Sequence, residues 1–419
     1  MLGFSISMTT DTEIFRVYSG PKFSYNDYPV ADEFFVACTD ILFDRGIEKI
    51  ELSFAKYLDL PCFFLTYNKK SVYNFDLFAA SFFLLTRYEE YLPFIKDKFG
   101  RFSATESIAY QKGFLEKPVV NIWVKDFAEK LCERFPQLVP KRNKFEVLPT
   151  IDIDSAWAFK QKGFWRIVGG YLKNLRDRDY QEIKYRTRVL LRKEKDPFDT
   201  FDEMIQLHSD FELEAIYFIL FADYNEYDKN IPVANRMFQA LIRKLADYGS
   251  IGIHPSFASS QDLSKLKNEV SQLAEVVHTE ISKSRQHFLM LRLPASYHEL
   301  INCGIKEDYT MGYSDLPGFR AGICTPYFFY DLESEQPSSL KIFPFAVMEG
   351  TLKDYMNLDI EQSKNKIFDL IDEVKNVDGI FISLWHNESM SNQKRWVGWD
   401  KLYTQILSYA KQKCGEQEQ

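Results

Sequence analysis

No stretch of the 419-residue chain approaches the roughly 20 consecutive apolar residues that a bilayer crossing needs, so no integral membrane segment is expected. The first eight residues carry neither a basic run nor a long apolar core, and no signal peptide is read there. Cysteine is sparse. Cys38, Cys62, Cys132, Cys303, Cys324 and Cys414 lie far apart without CxxC spacing, which excludes a disulfide framework and a zinc knuckle and points to a reducing, cytoplasmic address. Positive charge is in deficit, with 52 Lys and Arg against 60 Asp and Glu for a net charge of -8, which excludes a general nucleic-acid binder. Short-period repeats and low-complexity tracts are also missing.

What remains is the composition of a globular protein, 46% hydrophobic and 27% charged, with aromatics at 16% that suit cores and aromatic-lined clefts alike. The length implies two domains. A smaller mixed α/β domain is expected over residues 1–140, with strands near 48–54 and 61–67 and helices over 76–92 and 120–131. Arg87, Glu89 and Glu90 read either as a site or as an ion pair closing the first helix. A polar, proline-flanked linker follows at 136–144, and a second domain over 145–415.

The second domain is organised around Val147-Leu148-Pro149-Thr150-Ile151-Asp152-Ile153-Asp154, an apolar strand ending in two carboxylates one residue apart. Strand side chains alternate, so both acids point one way and the isoleucines the other. Side by side, such charges repel, and a cation, a metal or a shared proton relieves them; an edge strand with two solvated aspartates is the alternative. Beyond it, apolar strands alternate with helical segments at 234–248, 263–282 and 361–376, the pattern of a parallel sheet covered on both faces. In such sheets polar residues at strand carboxyl ends gather at one mouth, and Asp152, Asp154, His254, His287 and His386 all sit at or near such ends. Carboxylate and imidazole together suit a divalent metal, most simply zinc, with a neighbouring carboxylate as base and a separate histidine as acid. That division of labour hydrolyses an amide. His208, His278 and His298 fall in helices, where surface or capping roles are expected.

Thr150-Ile151-Asp152-Ile153-Asp154, then Gly252-Ile253-His254-Pro255-Ser256, then Arg285, then Leu384-Trp385-His386-Asn387 resemble the successive motifs of the polysaccharide deacetylases, the NodB-like carbohydrate esterase family 4 group. The resemblance covers roughly residues 145–400 and implies a distorted (β/α) barrel behind an accessory N-terminal domain. It implies a metal-dependent hydrolase acting on linear amide C–N bonds, removing acetyl from an amino-sugar or glycan. By match, Asp152 is the base, Asp154 and His254 bind metal, Arg285 orients the base, His386 is the acid and Asp308 positions that histidine. One position departs: where the family carries a second metal histidine, this chain has Ala258. His287, two residues beyond Arg285, is the candidate replacement, and a core or supporting histidine hydrogen-bonded near Arg285 is the alternative. A catalytically degenerate glycan binder is the competing functional reading.

Three further features bear on partners. Trp157 and Trp385 flank the acids and His386 and read as sugar-stacking or core residues, while Trp396 and Trp399 lie in a charged segment that reads as a cover over the mouth. Arg320, between Gly318 and Gly322, reads as substrate recognition on a mobile loop or as a salt-bridged turn. The basic stretch 160–195 reads as a solvated helical face or as a contact for an anionic polymer or lipid headgroup in surface-polysaccharide assembly.

Overall fold

The computed structural model describes residues 2–141 and 143–415. The opening part carries helix α1 (Thr12–Val17), the parallel pair β1 (Phe23–Asn26) and β2 (Phe34–Ala37), and the antiparallel pair β3 (Phe54–Tyr57) and β4 (Leu60–Phe63). Against these pack α2 (Leu77–Leu85), the short α3 (Ile108–Gln111) and α4 (Val119–Arg134). Asp76 starts α2 by accepting from the Phe78 and Ala79 N–H groups, the usual service of an N-cap carboxylate. The expected helix over 76–92 stops early. Arg87 turns into the left-handed region at φ 56° and a 3-10 turn follows at Tyr88–Tyr91.

Arg87 turns inward because its guanidinium has buried partners. It donates to Glu90 at 2.7 Å and Glu89 at 2.8 Å, while Arg320 from the second half closes on Glu90 at 2.6 Å. Burial pushes the Glu90 carboxyl up, but the two guanidinium groups outweigh it and hold the carboxyl below its usual value. Arg320 is therefore not a mobile recognition residue. It is 2% exposed and ties the two halves together, so the expected substrate role does not hold.

The second half supplies β5 (Glu146–Ile153), β6 (Ala215–Ile219), β7 (Gly249–Ile253), β8 (Lys283–Ser284), β9 (Glu307–Asp308), β10 (Tyr327–Asp331), β11 (Gln336–Ile342), β12 (Val347–Met348) and β13 (Ile380–His386). Between and after them run α5 (Phe164–Arg176), α6 (Tyr180–Leu190), α7 (Phe201–Asp210), α8 (Arg236–Ala246), α9 (Leu263–Val277), α10 (Ala295–Asn302), α11 (Ile360–Lys375) and α12 (Trp399–Gly415). The fold class is α/β. The nine strands form one sheet in the order β10-β11-β9-β8-β7-β6-β5-β13-β12, parallel except for the β10–β11 hairpin, which the sequence pattern did not reveal.

Alternation gives the sheet two unlike faces. Ile151, Ile153, Tyr217, Ile219, Phe381 and Trp385 point into the large core shared with the helices. Ile216, Phe218, Ile382 and Leu384 point the other way, where Tyr309, Phe343 and Phe345 join them in a second apolar cluster. Asp152 and His386 have the parity of this second face, and the ladder places them directly opposite each other.

His208 of α7 is not a surface histidine. It lies between β6 and α12, with Nε2 2.7 Å from the Tyr403 hydroxyl, while His278 does cap α9 and His298 pairs with Asp331. Desolvation lowers the His208 imidazole to about 4. The folded state thus refuses a proton that the unfolded chain accepts below its ordinary 6.5, so stability falls as pH drops from 6.5 towards 4. We expect His208→Gln to remove about 2 kcal/mol of the loss between pH 6.5 and 5, read from urea melts of both proteins. Arg320→Met is expected to lower stability by about 3 kcal/mol or more at pH 7, because it strips a buried carboxylate of a partner.

Candidate metal centre

β5 delivers Asp152 and Asp154 to the carboxyl edge of the sheet. The chain then turns sharply, pinned by Asp196, whose carboxylate accepts from the Ala158, Phe159 and Lys160 N–H groups. Asp152 is buried and Arg285 donates to it at 3.0 Å. The same Nη1 donates to the Thr150 hydroxyl at 2.7 Å and Nε donates to the Tyr309 carbonyl, so the guanidinium is fixed on three sides. Its plane lies over the Phe218 ring at 4.6 Å, a face that accepts a cation.

Asp154 meets imidazoles instead. His254 Nε2 lies 3.3 Å from Asp154 Oδ1 and 3.8 Å from Asp152 Oδ2, so the two carboxylates flank one ring. His287 Nε2 lies 3.5 Å from Asp154 Oδ2. Burial pushes the Asp154 carboxyl up, but the neighbouring histidines outweigh it and hold it well below the usual range. One ligand atom from each of Asp154, His254 and His287 falls within 4.8 Å of the others. Each ring nitrogen facing away from this point is tied down. His254 Nδ1 is hydrogen-bonded to the Arg285 carbonyl, and His287 Nδ1 sits 2.8 Å from Asp228 Oδ1.

This donor set fits a divalent cation. Asp154 Oδ1 is buried without a hydrogen-bond partner, and both histidines present Nε2 with the opposite nitrogen held by a carbonyl or carboxylate. That is how protein ligands to zinc are oriented, and three such ligands leave a coordination position open for chemistry. Burial pushes the His287 imidazole down, yet Asp154 and Asp228 raise it to about 9. A cation and a proton compete for the same nitrogen, so binding releases a proton.

Opposite the triad, His386 Nε2 lies 3.9 Å from Asp154 Oδ2 and Nδ1 lies 2.7 Å from Glu349 Oε1. Burial lowers this imidazole, but Glu349 foremost, then Asp154 and Asp152, raise it well above its ordinary value. Glu349 therefore takes the place expected for Asp308. Asp308 instead accepts from Ser284 and Thr310 deep beneath the site and has no hydrogen bond to His386.

The tryptophans do not line the mouth. Trp385 is fully buried against Trp399 and Tyr403 on the helix-covered face, Trp396 packs on Trp399, and Trp157 packs on Phe238. The rings beside the triad are others. Phe288 lies 4.4 Å from His287, and Tyr227, Phe257 and Phe99 gather around it. Glu349 was legible as an acid just past β12, by the same strand-end rule that found His386. Asp228, nine residues beyond β6 in a loop, carried no such signal.

Residues 1–136 match the model of DUF7033, a family of unknown function. No curated protein sequence matches the chain. Among solved structures it is similar to a Mycobacterium smegmatis protein assigned to the polysaccharide deacetylases, with 11% identity, TM-score 0.42, and coverage of 65% of this chain and 86% of that one. It is similar to a family 4 carbohydrate esterase from Streptomyces lividans, with 9% identity, TM-score 0.31, and coverage of 66% and 91%. It is also similar to a carbohydrate esterase family 4 pseudoenzyme from Bacillus anthracis, with 10% identity, TM-score 0.29, and coverage of 63% of each chain.

Asp228→Asn is expected to weaken zinc binding by about 10–100-fold, because the amide orients His287 without strengthening its basicity. Competition against a zinc chromophore measures it, and unchanged affinity in the variant counts against a ligand role for His287.

Proposed function

We propose that this chain is a divalent-metal-dependent hydrolase that removes an N-acyl group, acetyl being the expected one, from an amino-sugar or glycan. The observation that carries the reading is the convergence of Asp154, His254 and His287 ligand atoms within 4.8 Å, with both rings braced from behind. The mixed oxygen and nitrogen donor set favours zinc. Once bound, the metal supplies Lewis-acid polarisation of the acyl oxygen and of water.

The chain's own groups divide the remaining work. Asp152 accepts the proton of the attacking water, held in place by Arg285. His386, kept protonated by Glu349, donates a proton to the departing nitrogen as the C–N bond breaks. Tyr227, Phe257 and Phe288 offer ring faces beside the triad on which a sugar stacks. Residues 1–140 act as an accessory domain that completes the rim through Phe99 and Arg101, the latter donating to the Phe288 carbonyl at 2.6 Å. A cytoplasmic address favours a soluble or carrier-linked precursor over a finished polymer.

One feature favours a second reading. Ala258 stands where a second metal histidine is usual in the family resembled, and its backbone N–H is engaged by Asp228, which suits a glycan-binding protein without turnover.

Acetate release from a panel of N-acetylated amino-sugar oligomers, with metal content by mass spectrometry, separates the two. Asp154→Ala and His254→Ala are each expected to lose the bound zinc. Asp152→Asn is expected to keep it and lose about 10²–10⁴-fold in kcat. Undiminished zinc in both ligand variants defeats the metal centre; tight sugar binding that survives chelation, with no acetate from any substrate, leaves the binding protein.

A further inference from the structure

Helix α5 wears its apolar side outward. Phe164, Trp165, Leu172 and Leu175 are 69%, 82%, 62% and 55% exposed. At about 100° per residue they fall in one stripe about 100° wide running three turns along the helix. Lys173 and Arg176, both exposed, lie along one edge of that stripe. The inward side is already satisfied. Arg166 donates to the Lys229 and Asn230 carbonyls, Tyr171 shares a hydrogen bond with Thr187 of α6, and Gly170 leaves room for Arg186.

The helix sits in a strongly basic tract. Residues 160–195 hold twelve lysines and arginines against four acids, within a chain whose net charge is -8. Some of these cations are spoken for: Arg186 lies over Phe159 and Tyr171, and Arg188 pairs with Glu194. Lys173 on α5 itself, Arg178 just past its end, and Lys184, Arg192 and Lys193 on or just beyond the neighbouring α6 remain exposed.

From this juxtaposition we infer that α5 is a docking element for the surface of an anionic lipid membrane, lying flat with Trp165, Leu172 and Leu175 among the acyl boundaries and the surrounding cations at the headgroups. The apolar residues run in a line along the helix, as a planar acceptor requires, instead of clustering into a plug for a pocket. The basic border selects negative headgroups. The place of α5 in the fold gives docking a direction: Asn230 and Lys229, which Arg166 grips, directly follow Asp228, the residue behind His287. A docked helix therefore brings the metal centre alongside glycans carried at a lipid surface. Only that last consequence rests on the hydrolase reading.

Trp165 makes the test direct. The other five tryptophans, Trp123, Trp157, Trp385, Trp396 and Trp399, are all at most 7% exposed, so quenching by acrylamide reports Trp165. With phosphatidylcholine vesicles containing phosphatidylglycerol, the full-length protein is expected to show a blue-shifted emission, protection from acrylamide, and co-sedimentation that weakens with salt. Binding to pure phosphatidylcholine is expected to be about tenfold weaker or less detectable still. Leu172→Asp with Leu175→Asp, and separately Lys173→Glu with Arg176→Glu, are each expected to lower anionic-vesicle affinity about tenfold or more with an unchanged thermal melt, since these side chains are exposed. Absence of shift and sedimentation with anionic vesicles overturns the inference, as does equal binding by both variants. Protection of Trp165 that grows with protein concentration alone overturns it too, because a second copy then covers the stripe.

Discussion

Two carboxylates one residue apart at the end of a buried strand cannot both ionise without countercharge, and the way each is answered shapes the rest of the mouth. Asp152 meets Arg285, a cation that does not give up its proton and that is itself fixed by Thr150, Tyr309 and the face of Phe218. Asp154 meets only histidines, whose nitrogens take either a proton or a metal. This asymmetry separates the two acids chemically. Asp152 is fixed beside a permanent cation, while Asp154 stands among imidazoles whose ring nitrogens converge on a candidate cation site.

The sheet supplies the precision. His386 pairs with Asp152 across the β13–β5 ladder, Asp152 with Phe218 across β5–β6, and Phe218 with Gly252 across β6–β7. Positions on four strands thus fall in register toward one edge. Gly252 matters here because a β-carbon at that position would run into the Phe218 ring on which Arg285 rests. Beneath the polar edge lies the second apolar cluster, whose low polarity strengthens each charged contact above it and makes any unpaired one costly.

Much of this was legible in the sequence, through strand alternation and the habit of parallel sheets to collect polar residues at their carboxyl ends. Asp152, Asp154, His254 and His386 all follow from those two rules. Trp385 was open to the same logic: as the odd neighbour of His386 it had to point to the opposite face, and it does. His287 reaches the site by another route than the expected one. β8 ends at Ser284, and the His287 N–H donates to the Pro255 carbonyl, so a turn rather than a continuing strand presents the ring. Asp228 and the aromatic wall of Tyr227 and Phe257 belong to loops whose paths depend on tertiary hydrogen bonds, with no periodicity to announce them. Arg320 illustrates the opposite failure. Its flanking glycines suggested freedom, whereas Glu90, some 230 residues earlier in the chain, captures it.

The turn that carries His287 is held under strain, and the segment ahead of the linker helps to hold it. Phe288 and Leu289 both adopt left-handed backbone angles, at φ 57° and 54°, a conformation that bulky residues enter at a cost of about 1–3 kcal/mol each. Such a turn persists only where its surroundings over-determine it. Arg101 does so by donating to the Phe288 carbonyl, with its guanidinium anchored by Asp97 at 2.8 Å, and Phe99 packs on the Phe288 ring. The change of composition at 136–144 therefore marks a change of chain pattern without marking where the contacts end. Residues near position 100 fix the backbone one step beyond a proposed metal ligand, so the geometry of the mouth draws on both halves of the chain.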